Sequence, residues 1–310
     1  MKKNIASRNK TIILSRREEI DYAAKAIKFS PQKHDFAPDN QIVWQDTFYA
    51  LRYIPDNFAD LIIVDPPYNL TKNFGNNTFR QMKLNDYRKW LDKWLSKLNR
   101  IMKPNASLYI CSDWQSSIAI PQAACKYFIL RNRISWEREK GRAAQNNWKN
   151  CLEDIWFFTK SDEYTFNLDA VKVERRVIAP YRDSQGIPKD WHEKDGDKIR
   201  YTAPSNIWTD ITIPFWSMGE NTEHPTQKPE KLIAKLILAS SNEGDMVFDP
   251  FVGSGTTAVV AKKLGRRFLG IERERKYVAL TLKRLADADD NKSIQGYENG
   301  VFKGRNTGGD

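Results

Sequence analysis

The run from Met246 to Glu272 constrains this chain most: a buried-strand signal (MVFD), a glycine-rich turn, a helical stretch from Thr256 to Leu264 and a second strand (RFLGIE) follow without interruption. This is a βαβ unit, the building block of a parallel sheet covered by helices. Gly253 and Gly255 stand in its turn, where a missing Cβ lets a ligand approach the backbone closely. Free N–H groups at the start of the helix, around Thr256, favour a carboxylate, and Asp249 at the strand end suits an ammonium. Glu272, 17 residues after Gly255, stands where a carboxylate accepts hydrogen bonds from both ribose hydroxyls. An amino acid joined to a nucleoside satisfies all three, so S-adenosylmethionine is slightly favoured over a dinucleotide on this unit alone and is the expected cofactor once a second site, upstream, is joined to it. A dinucleotide uses a similar turn, but the acidic Asp249 disfavours its pyrophosphate.

A second site lies about 180 residues upstream. The strand-like run Leu61 to Val64 ends abruptly at Asp65-Pro66-Pro67-Tyr68 and delivers that tetrad to a loop. A flipped base bearing an exocyclic amine needs an acceptor for its N–H bonds, an aromatic face and a nearby methyl donor. Asp65 and the Pro66 carbonyl supply the acceptors, Tyr68 the face, and Pro67 stiffens the loop without adding a backbone donor. Alone, such a tetrad is a turn; the downstream unit gives it a partner. Residues 85–102 place Trp90, Leu91, Trp94, Leu95 and Leu98 at helical spacing and lead into a strand at 107–111, so βα alternation continues. Further strands are read at 42–44, 155–160 and 164–168, the last two as an edge pair, and helices at 16–26 and 230–240.

The chain has 50 Lys and Arg against 39 Asp and Glu, a net +11, which suits a polyanionic partner. Cys111, Cys125 and Cys151 are odd in number and lack paired spacing, and His34, His192 and His224 are scattered; neither a disulfide framework nor a metal is expected. The apolar runs are short and the first residues charged, so no membrane span or signal peptide is expected and a cytoplasmic location is inferred.

Taken together, the strand with DPPYNL, HPTQKP at 224–229, FDPFVGSGTT at 248–257 and Glu272 resemble the amino-methyltransferases of bacterial restriction-modification systems, in the permuted β-group order where DPPY comes first. The resemblance spans residues 41–285. It implies a doubly wound, mostly parallel, Rossmann-like sheet with an inserted target-recognition region. It also implies that Asp65, Pro66, Pro67 and Tyr68 handle the base, that Asp249, Pro250, Phe251, Gly253, Gly255, Thr256 and Glu272 hold the cofactor, and that Thr226 and Lys228 reach its carboxylate. Asp46 matches an acidic position near the cofactor adenine, although Gln45 replaces the usual glycine. In NCLEDIWFFTK, Leu152 stands where relatives of pattern N-x-x-H-E-x-I-x-W-F carry histidine. Aspartate rather than serine in the tetrad favours adenine N6 over cytosine N4.

The implied organisation is a basic N-terminal arm (1–38), a catalytic domain (39–288) with a recognition insertion at about 137–223, and a flexible tail (289–310). The insertion is rich in charged residues and holds five of the ten tryptophans, with a sixth, Trp136, at its edge; Arg138, Lys140, Arg142, Arg175 and Arg176 are its candidate DNA contacts. Double-stranded DNA is the expected partner, with a cognate endonuclease acting on the same site as a second and a monomer or homodimer as the assembly. The alternatives are methylation of cytosine N4 or of RNA, and a catalytically inactive DNA-binding subunit.

Overall fold

The computed structural model describes residues 8–30, 38–75, 77–138, 145–178, 181–194 and 196–302. The first half of the chain forms α1 (Arg16–Ala23), β1 (Gln41–Trp44), α2 (Thr47–Ala50), β2 (Ala59–Val64), β3 (Lys72–Phe74), β4 (Asn77–Phe79), α3 (Leu84–Ile101) and β5 (Met102–Asp113). There follow α4 (Trp114–Ser117), α5 (Ala119–Ala124), β6 (Ile129–Glu137), β7 (Leu152–Thr159), β8 (Val173–Arg176), β9 (His192–Lys194), β10 (Asp197–Thr202) and β11 (Ile207–Trp208). The last stretch holds α6 (Glu230–Ser240), β12 (Met246–Asp249), α7 (Thr256–Lys263), β13 (Arg267–Glu272), α8 (Arg275–Asp290), β14 (Tyr297–Glu298) and β15 (Val301–Phe302).

Eight strands make the main sheet in the order β1-β13-β12-β2-β5-β7-β6-β11, parallel throughout except for β7. Its central strands are buried on both sides, as sheets covered by helices on two faces require. Side chains alternate: Leu61 and Ile63 join the core under α6, α7 and α8, whereas Ile62 and Val64 join the core under α3 and α5. On α3 the expected stripe is realised, with Leu91, Trp94, Leu95 and Leu98 buried.

Four expectations need correction. Residues 8–30 of the N-terminal arm are docked on the domain: Ser15 and Glu18 form a reciprocal cap on α1, Ala23 is buried against the core, Arg275 pairs with Glu19 at 2.8 Å, and Ile12 and Ile27 bridge Thr222 and Val43. Up to Phe302 the C-terminal segment is not a loose tail, because Ile294 and Phe302 are buried and β14 and β15 turn through Asn299 and Gly300, both at positive φ, to pair with β8. Residues 164–168 form no strand, since the Asn167 N–H donates to the Ala239 carbonyl and its side chain to the Leu238 and Ser241 carbonyls, pinning the segment to the end of α6. Strand β7 is internal, between β5 and β6, so the stretch 137–223 is not wholly an insertion; its separate part is β8, β9 and β10, which join the C-terminal β14 and β15 in a five-stranded sheet. No helix among the described residues is long and apolar enough to cross a membrane.

Candidate active site

Strands β2 and β12 are neighbours, with Val247 beside Leu61 and Phe248 beside Ile62, and the sheet is built outward in opposite directions from this pair. Such a switch in strand order leaves a crevice beyond the carboxyl ends of the strands. A cavity of about 240 Å³ occupies it, lined on one side by Asp65 to Tyr68 and on the other by Asp249, Phe251, Gly253 and Glu272, with residues of β3 and β4 also in its wall. The two motifs thus face one space.

The tetrad is held from outside the cavity. The Tyr87 hydroxyl donates to the Pro67 carbonyl (3.0 Å), the Asn69 N–H to the Ser116 hydroxyl (2.8 Å), and the Asn69 side chain pairs reciprocally with the Met82 backbone (2.8 and 2.9 Å). Inside, the Lys228 ammonium lies 2.7 Å from Asp65 Oδ2, 3.4 Å from Glu153 Oε2 and 5.2 Å from the centre of the Tyr68 ring. The Tyr68 hydroxyl is 2.9 Å from Asp65 Oδ1 and 3.0 Å from Glu153 Oε2, and Arg138 grips Glu153 Oε1 at 2.7 Å. Two carboxylates and two cations balance one another in this network. Burial raises the Asp65 carboxyl above its ordinary range, against the pull of Lys228 and with the help of Glu153. Burial opposes the charge on Lys228 too, but Asp65 and Glu153 outweigh it and keep the ammonium protonated.

On the cofactor side, Asp249 accepts from the Phe251 N–H (2.9 Å) and the Thr257 hydroxyl (2.6 Å), and burial lifts its carboxyl to about 7. Glu272 accepts from the N–H groups of Gly253 (3.1 Å), Arg273 (2.8 Å) and Glu274 (2.7 Å), and burial carries it to about 7 as well. Phe251 packs edge-on against Trp94 and beside Trp90, giving an apolar wall suited to a purine. Burial, with Lys228 nearby, lowers His224 to about 3 and leaves it neutral. Gly253 is at positive φ, and a Cβ there would come within 3.0 Å of His224 Nε2, so the turn stays open only as glycine. The cavity therefore offers a carboxylate for an ammonium, one for a ribose and an aromatic wall, which fits S-adenosylmethionine.

Of the residues read from the sequence, Asp46, Thr226, Lys228 and Thr256 also line the cavity. Asp46 caps α2, accepting from Phe48 and Tyr49. The Thr226 N–H donates to His224 Nδ1, and the Thr256 hydroxyl to the Lys228 carbonyl. Pro250 and Gly255 stand apart: the Pro250 carbonyl accepts from Thr47, and a Cβ on Gly255 would strike the Thr281 side chain at 2.5 Å, so this glycine permits helix packing rather than ligand approach. Lys228 points at Asp65 rather than standing free for a carboxylate. Among the candidate DNA contacts, Arg138 holds Glu153, Arg175 and Arg176 are exposed on β8 with Arg176 paired to Asp197, and Lys140 and Arg142 lie outside the described residues, as does His34. Trp136, Trp191 and Trp208 are buried anchors, whereas Trp148 is 92% exposed. Glu153 was missed by motif reading, although it matches the glutamate of the N-x-x-H-E pattern beside the discordant Leu152.

Comparison with known proteins agrees with this geometry. The chain is 36% identical over 251 residues to the DNA adenine methyltransferase YhdJ of Escherichia coli (strain K12), covering 79% of this chain and 82% of that one. It is 33% identical over 252 residues to the type II methyltransferase M.HpaI of Haemophilus parainfluenzae, covering 80% and 74%. Among solved structures, the PvuII cytosine-N4-specific DNA methyltransferase superposes with a TM-score of 0.58 at 17% identity (81% of this chain, 92% of that one). The putative DNA modification methylase TTHA0409 of Thermus thermophilus, in complex with S-adenosyl-L-methionine, gives 0.55 at 21% (86% and 99%); both likenesses concern the fold. The DNA methylase family model for N6 and N4 enzymes matches residues 59–283, and the chain belongs to that family of S-adenosylmethionine-dependent DNA methyltransferases.

Proposed function

We propose that this enzyme methylates N6 of adenine in double-stranded DNA, at a base flipped into the cavity. The observation that carries the reading is the placement of Asp65 at the end of β2, facing the same cavity as Asp249 and Glu272 on the neighbouring strands. Asp65 accepts one N–H of the exocyclic amine and the Pro66 carbonyl the other, turning the nitrogen lone pair toward the methyl donor. S-adenosylmethionine supplies an electrophilic methyl group. Tyr68 stacks on the base, and the fixed loop around Pro67 and Asn69 sets the distance at which the amine is presented. Asp249 holds the cofactor's ammonium, Glu272 its ribose and Phe251 its purine.

Adenine is favoured over cytosine N4 by the aspartate in the tetrad and by the adenine specificity named for the E. coli relative. The exposed Arg175 and Arg176 of the second sheet are proposed to meet DNA phosphates. A cognate endonuclease of the same site is proposed on the type II names of two relatives. The test is transfer of labelled methyl to duplex DNA followed by nucleoside analysis: label in N6-methyladenine is expected, and label in N4-methylcytosine, or only in RNA, refutes the adenine reading.

A further inference from the structure

The Lys228 ammonium makes the two contacts that the substrate is proposed to need. It donates to Asp65 at 2.7 Å, where the exocyclic amine has to donate, and it lies 5.2 Å from the centre of the Tyr68 ring, against which the base has to stack. The side chains of Lys228 and Glu153 are each only 7% exposed, so water is a poor alternative partner for a displaced ammonium. Among the described residues a second acceptor is in reach. Glu153 Oε2 is 3.4 Å from the same nitrogen, and Arg138 pins the other oxygen of that carboxylate, aiming Oε2 inward at Lys228 and Tyr68. Because two cations and two carboxylates share the network, moving the ammonium by less than its own diameter changes no net charge.

We propose that Glu153 is a positioning residue that receives the Lys228 ammonium when a base enters, releasing Asp65 to accept from the exocyclic amine. Lys228 thereby occupies the amine's place in the empty site and keeps the Asp65 carboxylate from standing unpaired. The transfer also draws positive charge away from the nitrogen as it becomes cationic during methylation. This inference rests on the proposed role of Asp65 and adds to it a step on which base entry depends.

The test is single-turnover methyl transfer from labelled S-adenosylmethionine to unmethylated phage DNA, with cofactor affinity by calorimetry and a melting curve for each variant. Glu153→Gln cannot draw the ammonium away, so transfer is expected to fall at least tenfold while the cofactor Kd stays within twofold. Glu153→Asp, which keeps the charge, is expected to be faster than Glu153→Gln. The discriminating variant is Glu153→Gln with Lys228→Met: removing the ammonium removes the need for its acceptor, so the double variant is expected to be faster than Glu153→Gln alone. A residue that only supports the loop gives the opposite result, a double variant equal to or slower than the single one, and that result, or a Glu153→Gln enzyme as fast as the wild type, overturns the proposal. Asp65→Asn separates the two layers. It is inactive whether or not Glu153 acts as proposed, and full activity in it sinks the role of Asp65 itself.

Discussion

Asp249 is buried at 4% exposure and carries a carboxyl raised from 3.8 to about 7, so the empty enzyme is expected to be less stable for having it ionised. The sign follows from proton binding. Between pH 4 and 7 the folded chain holds a proton on Asp249 that the unfolded chain has released, so this contribution to stability is complete at low pH and is lost as pH rises through about 7. Three pKa units correspond to about 4 kcal/mol in all, and titration of a single group at about 7 removes about 1.4 kcal/mol of it between pH 6 and 8. Asp249→Asn carries no ionisable group there and keeps one oxygen for the Phe251 N–H, while its amide can donate to the Thr257 oxygen. Urea unfolding of the empty protein at pH 6 and pH 8 is therefore expected to show the wild type losing about 1.4 kcal/mol more than the variant over that interval, with Glu272 cancelling because both proteins contain it. Calorimetry is expected to show that the same substitution weakens S-adenosylmethionine binding about a hundredfold, because the carboxylate that destabilises the empty site is the one that meets the ligand's ammonium. An equal pH response in the two proteins refutes the burial argument, and unchanged cofactor affinity refutes the role given to Asp249.

Other expectations can be checked with the same material. Asp65→Ala abolishes methyl transfer while cofactor binding persists, and loss of binding in calorimetry moves Asp65 out of its base-handling role. Gly255→Ala, at a φ of +87° and with its new Cβ against Thr281, lowers stability by about 1–3 kcal/mol in urea unfolding; a neutral effect shows that α8 yields freely. Trp94→Ala, which empties a fully buried site behind Phe251, costs about 3–5 kcal/mol and weakens cofactor binding as the aromatic wall loosens. If Arg175 and Arg176 meet phosphates, their double replacement by Ala lowers the slope of log DNA affinity against log salt by about 2, and an unchanged slope removes them from the interface.

What could be read from the sequence and what could not divide along physical lines. Strand β2, helix α3 and the β12-α7-β13 unit were legible because each carries a dense local period of apolar residues and ends in glycine, proline or aspartate at a fixed place. The N-terminal helix was legible but its docking was not, and the β14-β15 hairpin was missed, because few apolar residues, chiefly Ala23, Ile294 and Phe302, dock otherwise polar segments, and composition averages them away. Segment 164–168 has a strand's residue types, but Asn167 is claimed by the open carbonyls of a helix that begins 63 positions later, a contact without local signature. At the site, residue types were readable and partners were not: Lys228 looked like a ligand for a carboxylate, and the carboxylate it meets belongs to Asp65.

The adjacency of β2 and β12 bears on how the protein comes into being. Leu61 and Val247 sit side by side in the sheet, yet everything from β3 to α6 must be made between them. A chain emerging from the ribosome presents the tetrad long before the strand that holds the methyl donor exists, and contacts of such sequence separation form late. Base handling and cofactor capture therefore become competent together, only once β12 has docked beside β2.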